Sequence, residues 1–134
     1  MKYIADKNIA MDQLINLYTS VGWSSYTQNS RQLQKAVANS LFAIGAYDQH
    51  QLVGLIRVVG DGLTIIYIQD LLVNPVYQRR GIGTKLINSV LKKYDSVRQK
   101  VLLTENTVKT RMFYEGCDFN PCDKYNLIAF YKDF

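Results

Sequence analysis

Residues 73–84, VNPVYQRRGIGT, constrain this chain more than any other stretch. They follow an apolar run, residues 63–73, and open a segment, residues 82–94, in which Ile82, Leu86, Ile87, Val90, Leu91 and Tyr94 recur at helical spacing. A strand, a glycine-bearing loop and a helix therefore come in immediate succession. Such a junction leaves the first N–H groups of the helix without intrahelical acceptors and sets the positive end of its dipole behind them, which favours a bound anion. Gly81 and Gly83 have no side chain to hold a phosphate off the backbone, and Arg79 and Arg80 add charge beside it. The stretch reads as a phosphate grip.

Spacing decides whose phosphate it is. A P-loop needs a longer gap between its glycines and a Lys-Ser/Thr pair directly after the second, and a dinucleotide fingerprint needs a third glycine downstream. Here Thr84 and Lys85 follow Gly83, and no third glycine comes. At 134 residues the chain is sized for one domain, residues 1–134, with a core that needs no staples. A net charge of +5 and a pI near 9.2 suit an anionic ligand but are also ordinary for a small soluble protein. Two cysteines and a single histidine make neither a disulfide scaffold nor a zinc set, so no metal is expected. Cys117 and Cys122 are expected as reduced, half-buried thiols, a bridge between them being the alternative. Lys2, Asp6 and Lys7 interrupt any signal-like apolar run, and nowhere do about 18 apolar residues run together. A cytoplasmic protein with no membrane partner is the expectation.

Residues 2–5 read as a short strand. Met11, Leu14, Ile15, Tyr18 and Val21 keep helical spacing until Gly22, and residues 22–27 form a loop carrying Trp23 and Tyr26, which either cover the core or line a pocket. A second helix over residues 30–39 starts at a capping-type serine, Ser30. Residues 41–46, 52–59 and 63–73 are three antiparallel strands, joined by a polar connection at residues 48–51 and a hairpin at residues 60–62. His50 is a solvated turn residue, and neither Ser-His-Asp nor Cys-His chemistry finds its partners. After the helix at 82–94, residues 101–104 are a short buried strand, parallel to the one before because a helix joins them. Residues 105–115 suit another helix. Phe119 and residues 126–131 suit two last strands, with Pro121 at their edge.

That order of elements, together with YIQDLLVNP at 67–75, QRRGIGTKL at 78–86 and FYE at 113–115, resembles the GNAT family of N-acetyltransferases over essentially the whole chain. Gln78-x-x-Gly81-x-Gly83 is similar to that family's acetyl-CoA signature, Gln/Arg-x-x-Gly-x-Gly/Ala. The resemblance implies an α+β fold, the three-layer GNAT acyl-CoA N-acyltransferase fold, with a mixed central sheet of about six or seven strands flanked by four helices. It implies that the fourth and fifth strands splay at a bulge and admit the pantetheine arm of acetyl-CoA. By the same match the backbone from Leu71 through Leu72 to Val73 holds that arm and polarises the thioester, while Gln78, Arg79, Arg80, Gly81, Ile82, Gly83 and Thr84 hold the pyrophosphate. Where the family often has Asn, seven residues before its tyrosine, this chain has Thr107 with Asn106 beside it, and either can touch the pantetheine. Asp118 stands where the family has a glycine of positive φ, and Gly116 could absorb part of that change.

Acetyl transfer to an amine needs a neutral amine, a stabilised oxyanion and a leaving sulfur that is not left bare. For an amine of pKa about 10.4, neutralisation at pH 7 accounts for about 4–5 kcal/mol of barrier. Asp70 is the best-placed acid residue, either as a base through water or as an anchor for an ammonium group; pairing with Arg57 is the structural alternative. Tyr114 matches the family's general acid, with a core aromatic as its alternative. Trp23, Tyr26, Tyr67 and Asp70 are expected on the acceptor side. The function expected is transfer from acetyl-CoA to the primary amine of a small molecule (polyamine, arylalkylamine, amino acid or aminoglycoside class) by direct attack in a ternary complex. Acetylation of protein lysine or N-terminal amines, and acetyl-CoA sensing without turnover, are the alternatives. No nucleic-acid partner is expected, and a homodimer is possible in such a family.

Overall fold

The computed structural model describes all 134 residues, which divide into two units, Met1–Leu103 and Thr104–Phe134. The first runs β1 (Lys2–Ala5), α1 (Met11–Ser20), α2 (Ser24–Thr27), α3 (Ser30–Ala38), β2 (Phe42–Asp48), β3 (Gln51–Gly60), β4 (Ile65–Val73), a 3₁₀ turn (Pro75–Tyr77), α4 (Ile82–Lys93) and β5 (Gln99–Leu102). Its five strands lie in sequence order, antiparallel from β1 to β4, with β5 parallel to β4. The α3 cap is Asn29 rather than Ser30: its side-chain oxygen accepts from the Gln32 N–H at 3.1 Å. The loop expected over 22–27 contains the single turn α2.

Two cores sandwich the sheet. On one face Leu14, Leu17 and Tyr18 of α1 and Leu33 and Val37 of α3 pack with Leu55 and Leu72, each such buried side chain contributing about 1.5–3 kcal/mol. On the other, Ile82, Leu86, Ile87 and Val90 of α4 are buried. Gly54 lets α4 come close: a Cβ there would meet Ile82 at 3.0 Å and Leu86 at 3.3 Å. Since β3 is covered on both sides, it is apolar nearly throughout, from Leu52 to Val58, with Arg57 the exception.

The feature that positions the site is a bulge in β4. Arg57 and Val58 are consecutive, yet they pair with Asp70 and Ile68, so Gln69 is an extra residue. Buried positions still fall on Ile66, Ile68, Asp70 and Leu72. The face they look toward changes at Gln69: Ile68, opposite Val58, lies on the α4 side with Gly54, whereas Asp70 and Leu72 lie with Arg57 and Leu55 on the α1–α3 side. The β4–β5 ladder ends at the same place, at Ile68 and Leu102.

The second unit contains α5 (Val108–Glu115) and a 3₁₀ turn (Cys122–Tyr125). The two last strands expected at 119 and 126–131 do not form, because apolar alternation alone does not supply the partner that an extended backbone needs. The sheet therefore has five strands rather than six or seven, and α2 brings the helices to five. Both cysteines are free, Cys117 partly buried as expected and Cys122 exposed.

Candidate active site

From Gln69 to Val73 the edge of β4 turned away from β3 has no strand beside it, since β5 pairs only with Ile65 to Ile68. Leu72 spends its side chain in the core, and Leu71 and Val73 are half-buried, so what this stretch offers a ligand is main chain. Immediately beyond, the Asn74 N–H donates to the Val53 carbonyl at 2.8 Å, and the Asn74 side chain caps the 3₁₀ turn by accepting from the Val76 N–H. Gln78 folds back to donate to the Val73 carbonyl at 3.0 Å. Tyr77 donates its hydroxyl proton to Asp48 at 2.7 Å and carries the Arg80 guanidinium 5.0 Å from its ring centre.

Two left-handed residues, Arg79 at φ +65° and Gly81 at φ +81°, then turn the chain into α4. The first helical bond of α4 runs from the Lys85 N–H to the Gly81 carbonyl at 3.0 Å. The N–H groups of Ile82, Gly83 and Thr84 precede it and have no acceptor within the helix. A Cβ on Gly81 would meet no atom within 4 Å, so the space before these donors is open. Free main-chain donors at a helix start, open space and the arginines Arg79 and Arg80 fit a diphosphate.

On the α1–α3 side the bulge brings together a polar cluster. Asp70, buried, receives three donors: the Tyr18 hydroxyl at 2.8 Å and the Arg57 Nε at 2.5 Å on one carboxylate oxygen, and the Tyr26 hydroxyl at 2.8 Å on the other. Arg57 also donates to the Ser40 hydroxyl at 3.3 Å. Burial works against the Arg57 charge, and the charge and hydrogen bond of Asp70 outweigh it, so its pKa is raised. Burial first, then the Asp70 charge, raises the pKa of Tyr18 and of Tyr26, so both phenols keep their protons. Gln69, exposed on the bulge, donates its amide N–H to the Tyr26 oxygen at 3.2 Å. Tyr18, Trp23 and Tyr26 pack ring to ring with centroids 5.0 to 6.2 Å apart.

The structure thus gathers Trp23, Tyr26 and Asp70, with Asp70 paired to Arg57 as the structural alternative had it. Tyr67, half-buried in β4, pairs with Val59 on one side and Val101 on the other. Two members of the cluster were not legible. Tyr18 reads as one more apolar position of α1, though a buried phenol needs a partner for its hydroxyl, and that was the available signal. Gln69 matters because it is the bulged residue, which no local pattern announces.

In the second unit Tyr114 packs between Phe113 and Phe119, with centroids 5.0 and 6.0 Å away, and burial, then the neighbouring Cys117, pushes its pKa up to about 12. Thr107 caps α5 by accepting from the Thr110 N–H at 3.1 Å, and Asn106 accepts from the Arg111 Nε at 2.8 Å. Asp118 itself takes the left-handed conformation, φ +68°, while Gly116 stays helical at φ −65°. The glycine after the helix therefore absorbs nothing.

The family model for the acetyltransferase (GNAT) domain matches residues 12–127. A ycf52-like N-acetyltransferase of Prochlorococcus marinus, itself uncharacterised, is 32% identical over 132 residues, covering 93% of this chain and 71% of that protein. The GNAT family acetyltransferase SP0256 of Streptococcus pneumoniae TIGR4 superposes with a TM-score of 0.88 at 32% identity, over 99% of this chain and 97% of that one. SA2161 of meticillin-resistant Staphylococcus aureus does so with a TM-score of 0.82 at 24% identity, over 99% of this chain and 98% of that one. This chain belongs to the GNAT family, whose members use acetyl-CoA, and it is an acetyl-transfer enzyme.

Proposed function

We propose that the chain moves the acetyl group of acetyl-CoA to the primary amine of a small molecule, of the polyamine, arylalkylamine, amino acid or aminoglycoside class, by direct attack in a ternary complex. One observation carries the reading: the unpaired edge of β4 from Gln69 to Val73 leads directly into the free N–H groups of Ile82, Gly83 and Thr84. An extended arm ending in a diphosphate fits that sequence of main-chain donors and acceptors. The family model spans residues of both units, which supports a single catalytic domain over residues 1–134.

The residues then divide the work. Gln78 to Thr84 bind the pyrophosphate, with Arg79 and Arg80 supplying charge. Backbone groups at Leu71 and Val73 orient the thioester and meet the charge that develops on its oxygen, where one well-aimed donor is worth about 2.7–4 kcal/mol. Asn106 and Thr107 flank the start of α5 and line the pantetheine. Trp23, Tyr26 and Tyr67 shape the acceptor side, anchored by Asp70. Tyr114 donates a hydrogen bond to the leaving sulfur. With its pKa near 12 against about 8.5 for a thiol, complete proton transfer lies uphill by roughly 5 kcal/mol, so the phenol keeps its proton.

Calorimetry with CoA, followed by thiol release from acetyl-CoA against a panel of amines and peptides, tests this. CoA binding with turnover of at least one small amine is expected; a protein that binds no CoA, or turns over peptides alone, overturns it.

A further inference from the structure

Hydrogen-bond polarity in the cluster around Asp70 runs one way. Tyr18 and Tyr26 donate their hydroxyl protons to the carboxylate, and Arg57 donates its Nε–H. Of these groups Tyr18, Arg57 and Asp70 are buried, and only Tyr26 reaches the surface. A phenol has one proton and two lone pairs. The Tyr26 proton is committed inward to Asp70, and one lone pair takes the Gln69 amide N–H, so the hydroxyl presents a single remaining lone pair outward. Gln69 is the bulged residue at which β5 ends its pairing with β4, which places this lone pair beside the mouth of the gap.

From this we propose that the Tyr26 oxygen is the group that receives an N–H of the acceptor amine, and that Asp70 and Arg57 are positioning residues which keep that oxygen an acceptor. The inference rests on the acetyl-transfer reading above and gives the acceptor side its selection rule: the ligand must bring an N–H. Asp70 does not take the amine's proton. The carboxylate is buried, already accepts three donors and is paired with Arg57, so the amine arrives at Tyr26 already neutral or loses its proton to solvent.

The test uses the wild-type chain and two variants, with the best amine from the panel. An inhibitor series built on that amine compares the primary ammonium with its trimethylammonium analogue, which has the charge and bulk but no N–H. At least tenfold weaker competition by the trimethyl compound is expected; equal competition means recognition by charge and aromatic faces, and overturns the proposal. Tyr26→Phe is expected to raise the amine KM at least tenfold and to leave the CoA Kd within twofold. An unchanged KM overturns the proposal. In a series of amines of differing pKa, the acid limb of kcat/KM is expected to follow the amine. A limb that stays fixed across the series and is lost in Asp70→Asn makes Asp70 the base and also overturns it. If no amine in the panel releases thiol from acetyl-CoA, the acetyl-transfer reading has failed, and this one with it; thiol release with an unchanged KM in Tyr26→Phe overturns this one alone.

Discussion

Arg57 and Asp70 bury opposite charges side by side, and neither is tolerable without the other. Removing one partner of such a pair costs about 3–5 kcal/mol, because the remaining charge is stranded, whereas replacing both with apolar residues of similar volume is often neutral. Arg57→Met is therefore expected to lower unfolding free energy by about 3–5 kcal/mol in urea titrations, and the double variant Arg57→Met/Asp70→Leu to recover only part of that loss, because the buried Tyr18 hydroxyl then lacks its acceptor, at a cost of about 1–3 kcal/mol. Tyr114 makes a different kind of prediction. In the role proposed for it, the phenol acts only once the sulfur begins to leave, so Tyr114→Phe is expected to lower kcat at least tenfold with little change in acetyl-CoA affinity, read from steady-state rates and calorimetry. Residue identity made Asp70, Tyr26 and Tyr114 legible as candidates in the sequence. The pairing of Asp70 with Arg57 was legible as an alternative, but its two phenols were not, because Tyr18 and Tyr26 reach Asp70 across 52 and 44 positions of chain.

Among the elements, α4 is the one whose placement decides binding in the function proposed. Its first turn supplies the free N–H groups, and its distance from the sheet is set by Gly54, where a Cβ would already meet Ile82 at 3.0 Å. Gly54→Val overpacks that contact; a loss of about 1–3 kcal/mol in stability is expected, with weaker CoA binding as the start of α4 shifts. Gly81→Val separates strain from ligand contact. Its left-handed φ costs a non-glycine residue about 1–2 kcal/mol, yet a Cβ there meets no atom within 4 Å. A fall in CoA affinity of tenfold or more, measured by calorimetry on the folded variant, is expected because the side chain would occupy the space proposed for the diphosphate. The helix and its loop are local features, and their periodicity and glycines were readable directly. A bulge in β4 was implied by the family resemblance, but its position at Gln69 was not readable, because the residues from Ile65 to Val73 are compatible with an unbroken alternation and only pairing with β3 selects the break.

Across the whole molecule, buried tyrosines set the alkaline limit of stability. Tyr18, Tyr26, Tyr47, Tyr94 and Tyr114 all have raised pKa values, with burial the first cause in each. An unfolded chain releases these protons near pH 10, while the fold retains them, so the folded state binds more protons above that pH. The stabilisation is complete below about pH 10 and is lost as pH rises through the folded values, about 12 for Tyr114. Thermal unfolding followed from pH 9 to 12 is expected to show Tm falling steeply above pH 10, and Tyr18→Phe to lessen that slope. Periodicity and turn residues were enough to determine the strand, loop and helix around residues 73–84 and the antiparallel strands that lead into them, because each rests on forces acting within a few residues, and the motifs at 67–75, 78–86 and 113–115 carried the resemblance to the family. Tertiary structure alone decided that Gln69 bulges, that Asp70 is held by Arg57 and two phenols, and that residues 126–134 form no strand. Those outcomes depend on which distant groups meet, and a backbone or a buried charge settles only where a partner is found.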